Sequence, residues 1–185
     1  MKHSILFTGH MIDAPQRKQP RFPAYKEQGV QQALEKYLRA EMKNTTNELT
    51  GMAGGACGGD ILFHELCIDL KISSEIYLAL PIEEFKKASV SFAGLEWVGR
   101  FERLIKKRPV HILPPAIGDE KNNVWERANI WMLNSALKNG GENMTLLALW
   151  DGKTGDGGGG TEHMINVARE QNSSVKVIEI GKING

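Results

Sequence analysis

Cysteine is scarce in this chain: Cys57 and Cys67 are the two present in 185 residues, and they stand ten positions apart without metal-ligand spacing. That pattern excludes a disulfide framework and a zinc finger. It predicts two reduced, partly buried thiols in a reducing compartment. Long hydrophobic runs are missing as well. No stretch approaches the roughly 18 apolar residues of a membrane span. The N-terminal Ile5-Leu6-Phe7 lacks the apolar length and cleavage site of a signal peptide and reads as a first strand. The expectation is a soluble, cytoplasmic protein with no membrane partner. Charge of one sign is also lacking. A formal net charge of +1 supplies no field for gripping a polyanion, so nucleic acid is not expected as the main partner. No Ser-His-Asp, metal-binding or paired-carboxylate motif stands out, and no metal or cofactor is expected.

What is present is an ordinary globular composition, 41% hydrophobic and 24% charged. The length suits one domain over residues 1–185, which folding buries to roughly 70% of its extended surface without staples. Short apolar runs alternate with helix-period segments. Strands are expected at Ser4–Thr8, Glu48–Ala53, Glu75–Leu80, Val110–Leu113, Thr145–Trp150 and Val175–Ile180. Several are almost continuously apolar, as strands covered on both faces are. The first helix is expected over Tyr25–Met42, striped by Val30, Ala33, Leu34, Tyr37 and Leu38. A second begins near Asp60 and carries Leu62, Leu66 and Leu70. A third lies at about Leu95–Arg108, inside the long connection Glu83–Pro109. A fourth runs from Asn123, which has capping-box spacing to Glu126, to about Lys138, and a fifth starts at Gly160 or Thr161 and ends before Asn172. This alternation predicts a Rossmann-like three-layer α/β/α fold with a mostly parallel sheet of about six strands. Ligands of such sheets sit beyond the carboxyl ends of the strands, where strand order reverses.

Three segments fall at those ends. After the fifth strand comes Trp150-Asp151-Gly152-Lys153-Thr154-Gly155-Asp156, then four glycines, Gly157, Gly158, Gly159 and Gly160, then Thr161-Glu162-His163. Glycines at a helix start remove every Cβ, so the backbone can approach a ligand and free amides can donate to an anion. After the second strand, Gly54, Gly55, Ala56, Cys57, Gly58, Gly59 and Asp60 form a second Gly-rich turn into a helix. Its spacing fits neither G-x-G-x-x-G with a ribose-binding acid nor a P-loop, which disfavours an ordinary NAD dehydrogenase or NTPase. After the first strand, Thr8, Gly9 and His10 offer hydroxyl, backbone and imidazole groups. A long loop with Pro15, Pro20 and Pro23 follows, in which Arg17 and Arg21 either clamp phosphate, or are solvated or pair with Asp13.

Asp60 and Glu162 each stand in the first turn of a helix behind a Gly loop, where they complement the helix dipole. They would also repel a phosphate on the same amides, so at least one of them suits a ribose hydroxyl. Weaker candidates are Asn122, Glu126, Arg127 and Asn129 near the fourth helix start, and His64 and Glu65, which an ordinary helix surface explains better. Core packing is the expectation for Trp97, Trp125, Trp131 and Trp150.

The run Gly157-Gly158-Gly159-Gly160-Thr161, with Gly54–Asp60 before it, resembles the SLOG superfamily of Rossmann-like domains. That group includes the LOG, or "lysine decarboxylase-like", phosphoribohydrolases and the Smf-type DNA-processing domains. The run matches the Gly-Gly-x-Gly-Thr core of LOG enzymes, with Asp156 where they carry proline and His163 where they carry glutamate. Phe7–Asp13, Gly54–Glu65 and Trp150–Met164 look closer to the signalling branch found in bacterial conflict systems. The resemblance implies a nucleotide-derived ligand, a homodimer or higher homo-oligomer, and a partner effector protein. It implies, as the alternative, N-glycosidic hydrolysis of a nucleotide, with Glu162, His163 or Asp60 as acid–base groups. Gly159→Val is expected to abolish nucleotide binding and leave the fold intact, as read by ligand-induced melting shift and circular dichroism.

Overall fold

The computed structural model describes residues 2–115, 123–153 and 160–184. The described strands are β1 (Lys2–Gly9), β2 (Glu48–Ala53), β3 (Ser73–Leu78), β4 (Val110–Ile112), β5 (Met144–Trp150) and β6 (Ser174–Glu179). They form one six-stranded sheet of order β4-β3-β2-β1-β5-β6 in which every neighbouring pair is parallel. The helices are α1 (Glu27–Asn44), α2 (Gly59–Asp69), α3 (Ile82–Ser89), α4 (Leu95–Lys107), α5 (Val124–Ala136) and α6 (Thr161–Glu170). The Rossmann-like three-layer arrangement expected from the alternation is the one observed.

Strand alternation divides the core into two. Ile5 and Phe7 of β1, with Leu147 and Leu149 of β5, pack under Val30, Leu34 and Leu38 of α1 and under α2 and α4. Leu6, with Leu146 and Ala148, packs on the opposite face under Met132 and Leu133 of α5 and Met164 and Ile165 of α6. Successive residues of the central strands β1 and β5 thus face different helix layers, and those two strands are buried along most of their length. Arg100 of α4, nearly buried, ties the first layer together. It donates to Glu65 of α2 and to Glu27 of α1 at 2.6 Å each, and its guanidinium lies 4.0 Å from the Trp97 ring centre.

Most boundaries fall within one to three residues of expectation, and the connection around β3 departs most. β3 starts and ends two residues earlier, because Ala79 and Leu80 leave the sheet before Pro81 opens α3. Helix α3 is an addition within the connection in which one helix, at about Leu95–Arg108, was expected. It is only eight residues long and buries Phe85 and Ser89, which leaves little periodicity to detect. Its charge order, Glu83 and Glu84 first and Lys86 and Lys87 last, does suit the helix dipole.

The strand order reverses between β1 and β5, since β2, β3 and β4 extend on one side of β1 and β5 and β6 on the other. The loop after β1 is sewn to the β2–α2 turn there. Met11 and Gly58 form an antiparallel bridge, the Ile12 amide donates to Cys57 O at 3.1 Å, and the Gly59 amide donates to His10 O at 3.3 Å. Gly58 has φ of 100°, and a Cβ on it would collide with the Ile12 amide nitrogen. Gly58→Ala is therefore expected to cost on the order of 2 kcal/mol in chemical denaturation, from strain and lost approach together. Gly152→Ala, at φ of 78° with open space around it, should cost about 1 kcal/mol or less.

Candidate functional site

At the reversal point the ends of β1 and β5 are joined through a carboxylate. Asp151, just past β5, accepts two hydrogen bonds from Arg21, from Nε at 2.9 Å and from the terminal nitrogen at 3.2 Å. His10 Nε2 lies 3.2 Å from the same carboxylate and accepts the Asp151 amide at 3.3 Å. Burial by itself would raise the Asp151 carboxyl. The Arg21 guanidinium, the Lys153 amide and His10 outweigh it and hold the group far below the usual carboxylate range. Asp13 does a similar job inside the loop: its Oδ2 accepts the Arg21 and Phe22 amides at 2.9 Å each, and Arg17 Nε stands 3.4 Å from its Oδ1. With Phe22 fully buried as an anchor, the proline-rich segment is held over the strand ends.

Beneath it lies a cavity of about 380 Å³. Thr8, Gly9, His10, Arg17 and Arg21 line it from the β1 side, Gly54 and Asp60 from the β2–α2 turn, and Gly160 and Thr161 from the start of α6. Asn123, Trp125, Glu126 and Asn129 complete it from α5. A second cavity of about 450 Å³ adjoins the first and shares Met11, Gly54, Asp60, Trp125, Asn129 and Met132 with it. Ala56 lines this second space, together with Tyr77, Ala79, Phe85, Ala88 and Ala128.

Asp60 stands where the two spaces meet. Its Oδ2 accepts the Ala56 amide at 3.1 Å, and it lies against Gly54, where a Cβ would collide with the carboxylate. Burial pushes its carboxyl up to about 7, against a smaller opposing pull from the Ala56 amide. Near neutrality it exists in both forms, able to donate or to accept. Below it, His64 is fully buried and holds the turn. Its Nδ1 pairs with Ser74 Oγ and its Nε2 with Gly54 O, each at 3.0 Å. Burial lowers the His64 pKa to about 4, so it stays neutral and Nε2–H donates to the Gly54 carbonyl.

The sequence-expected residues thus fall into groups. Thr8, Gly9, His10, Arg17, Arg21, Gly54, Asp60, Gly160 and Thr161 line the first cavity and Ala56 the second. Asp151 positions Arg21 and His10. Gly55 is buried beside Phe101 and Leu78, and Gly58 makes the loop contact described above. Glu162 is exposed and His163 half-buried, and neither lines a cavity. Gly158 and Gly159, and Asn122, lie outside the described residues.

Two readings are corrected. His64 and Glu65 do not form an ordinary helix surface: one is a core tie to Gly54 and the other an Arg100 partner. Trp125 is not core, being 40% exposed and lining both cavities. Its role was obscured because Asn123, whose side chain accepts the Trp125 and Glu126 amides at 3.0 Å, explained the local sequence as a helix cap. Both cysteines are buried and free, and burial raises each thiol to about 12. Among the described residues no cluster of three His, Cys, Asp or Glu side chains could hold a metal, and no helix is long and apolar enough to cross a membrane.

Asp60 and His64 have opposite effects on stability. The raised Asp60 pKa adds stability that is complete below about pH 4 and lost as pH climbs to about 7. The lowered His64 pKa adds stability that is complete above about pH 6.5 and lost as pH falls to about 4. In the wild-type protein the two largely offset across that window. Removing the carboxyl should uncover the histidine. Asp60→Asn is expected to gain on the order of 2 kcal/mol relative to wild type between pH 4 and pH 7.5, measured by urea unfolding at stepped pH.

No protein-family model matches the chain, and neither does any curated protein. Among solved structures it is similar to DNA processing protein A (DprA) from Streptococcus pneumoniae, with a TM-score of 0.54 at 12% sequence identity. The match covers 95% of this chain and 50% of that one, so the chain spans half the length of its structural neighbour. At that identity the likeness is one of fold: a Rossmann-like α/β sheet with helices on both sides.

Proposed function

We propose that the chain is a SLOG-type domain of the signalling branch that binds a nucleotide-derived small molecule at the carboxyl ends of β1, β2 and β5. It would sense or process a nucleotide second messenger in a bacterial signalling or defence system, as a homo-oligomer that acts on an effector protein. The observation that carries this reading is the cavity at the strand-order reversal, where open α/β sheets hold ligands. Three βα connections converge there, and they supply the groups a phosphorylated sugar needs. Gly160 and Thr161, the cap and first residue of α6, line the cavity together with Arg21, Arg17 and His10, and free amides at a helix start would donate to an anion. Asp60, whose carboxyl burial raises to about 7, offers a ribose hydroxyl a donor in one form and an acceptor in the other. The similar structure's name speaks of DNA, but a formal net charge of +1 gives this chain little field for gripping a polyanion.

Asp60 also favours a second reading, hydrolysis of a nucleotide N-glycosidic bond. A carboxyl that titrates near 7 in a cavity wall has the proton affinity suited to general acid–base work. Glu162 and His163, the other acid–base candidates, line neither cavity.

The test is incubation of the purified protein with mononucleotides, cyclic nucleotides and NAD-derived metabolites, followed by melting shift and product analysis. A shift of several degrees with at least one compound and no turnover is the expected result for a sensor. Release of free base and ribose phosphate, abolished by Asp60→Asn, would establish the hydrolase instead. No shift with any member would overturn the binding reading.

A further inference from the structure

We infer that the alanine-lined cavity beside the polar one receives a flat heteroaromatic ring, the base of the bound nucleotide, stacked on Trp125. This rests on the reading of the polar cavity as the sugar-phosphate site. The two spaces are one cleft with two chemistries, since six residues border both. On the polar side stand hydroxyl, imidazole and guanidinium groups. On the other, four alanines from four different segments, Ala56, Ala79, Ala88 and Ala128, keep the space open where larger side chains would fill it.

The walls of that space are aromatic. The Phe85 ring centre lies 5.9 Å from that of Trp125, and Phe85 is braced from behind by Phe101 at 6.0 Å in a stacked arrangement. Tyr77 closes another side, itself held edge-on by Trp131 at 4.8 Å. Rigid rings of this kind suit a π-faced ligand, because every base presents a face on which they can stack. Trp125 differs from Trp97, whose ring is taken by the Arg100 guanidinium: it is 40% exposed at the mouth shared by both spaces. Asp60 and Asn129 sit at the same junction, so the ring's polar edge meets side chains able to donate and accept as it enters the apolar slot. An alkyl chain would use the alanines and make no use of the hydrogen-bonding side chains at the junction.

The experiment uses AMP, GMP, ADP-ribose and hexyl phosphate as probes, with tryptophan fluorescence and calorimetry as readouts. At least one base-bearing probe is expected to quench emission, and the quench should vanish in Trp125→Phe although Trp97, Trp131 and Trp150 remain. Ala88→Leu, at an exposed position on the rim of the apolar slot alone, is expected to weaken that probe at least about tenfold. Melting of the unliganded variant checks that it folds. A base-bearing probe that binds with no Trp125-dependent quench and equal affinity in Ala88→Leu overturns the inference and leaves the nucleotide reading standing. Tighter binding of hexyl phosphate than of every base-bearing probe also overturns it. Binding of none of the four overturns the inference as well, and the wider nucleotide panel then decides the nucleotide reading on its own.

Discussion

The geometry of the cleft depends on the Asp151 carboxylate more than on any other single group. It sits at the end of β5, is only 9% exposed, and takes two hydrogen bonds from Arg21 of the loop after β1. Without a partner, a carboxylate in that position would be costly to bury. With Arg21 and His10 beside it, the same charge aligns two cleft-lining side chains and fixes the proline-rich loop to the end of the neighbouring strand β5. The loop in turn requires Gly58 to lack a Cβ, because the β2–α2 turn approaches its backbone directly. One ion pair and one close backbone contact thereby bring the ends of β1, β2 and β5 to a common wall. The position of the cleft follows from strand order, and its shape follows from these two constraints.

The pairing also decides how charge is presented. Arg21 and Arg17 face the cavity with Asp151 and Asp13 at their backs, so their positive charges are oriented and partly neutralised. A cleft of this kind holds an anion by directed hydrogen bonds more than by net field. That agrees with the chain's near-zero formal charge and with a ligand small enough to lie within the spaces described.

Much of the fold was legible because both sheet faces are covered: near-continuous apolar strands and the 3.6-residue stripe of α1 leave few alternative assignments. Glycine at 54 and 58 flagged the β2–α2 turn, and the rule that ligands lie at strand ends placed Thr8 through His10 and Thr161 near a site. Two things were not legible. Whether a residue such as Asp151 lines a cleft or braces one that does depends on contacts across more than a hundred positions, from Arg21 at one end to Asp151 at the other. The apolar half of the cleft could not be read either, because alanines at 56, 79, 88 and 128 are individually unremarkable and acquire meaning only when the fold makes them neighbours. α3, too short for periodicity, carries two of that cavity's walls in Phe85 and Ala88. Its absence from the sequence reading hid the space it encloses.

Binding and catalysis ask different things of Asp60. To hold a ribose hydroxyl, the carboxyl needs only to stay near Gly54 in either protonation state, which the Ala56 amide and the missing Cβ secure. To cleave a glycosidic bond it must also meet the scissile atoms in the correct form and stabilise charge as it develops, which demands placement to within about half an ångström. The floor beneath Asp60 is built with some rigidity, since His64 pins the Gly54 carbonyl from inside the core and Ser74 pins His64. That buried relay keeps the turn in place while the carboxyl's protonation changes, because His64 remains neutral throughout the range in which Asp60 titrates above about pH 5. A wall that stays fixed while one group on it changes charge is a preorganised surface for binding in either form, and it is also the minimum from which an acid–base catalyst is made.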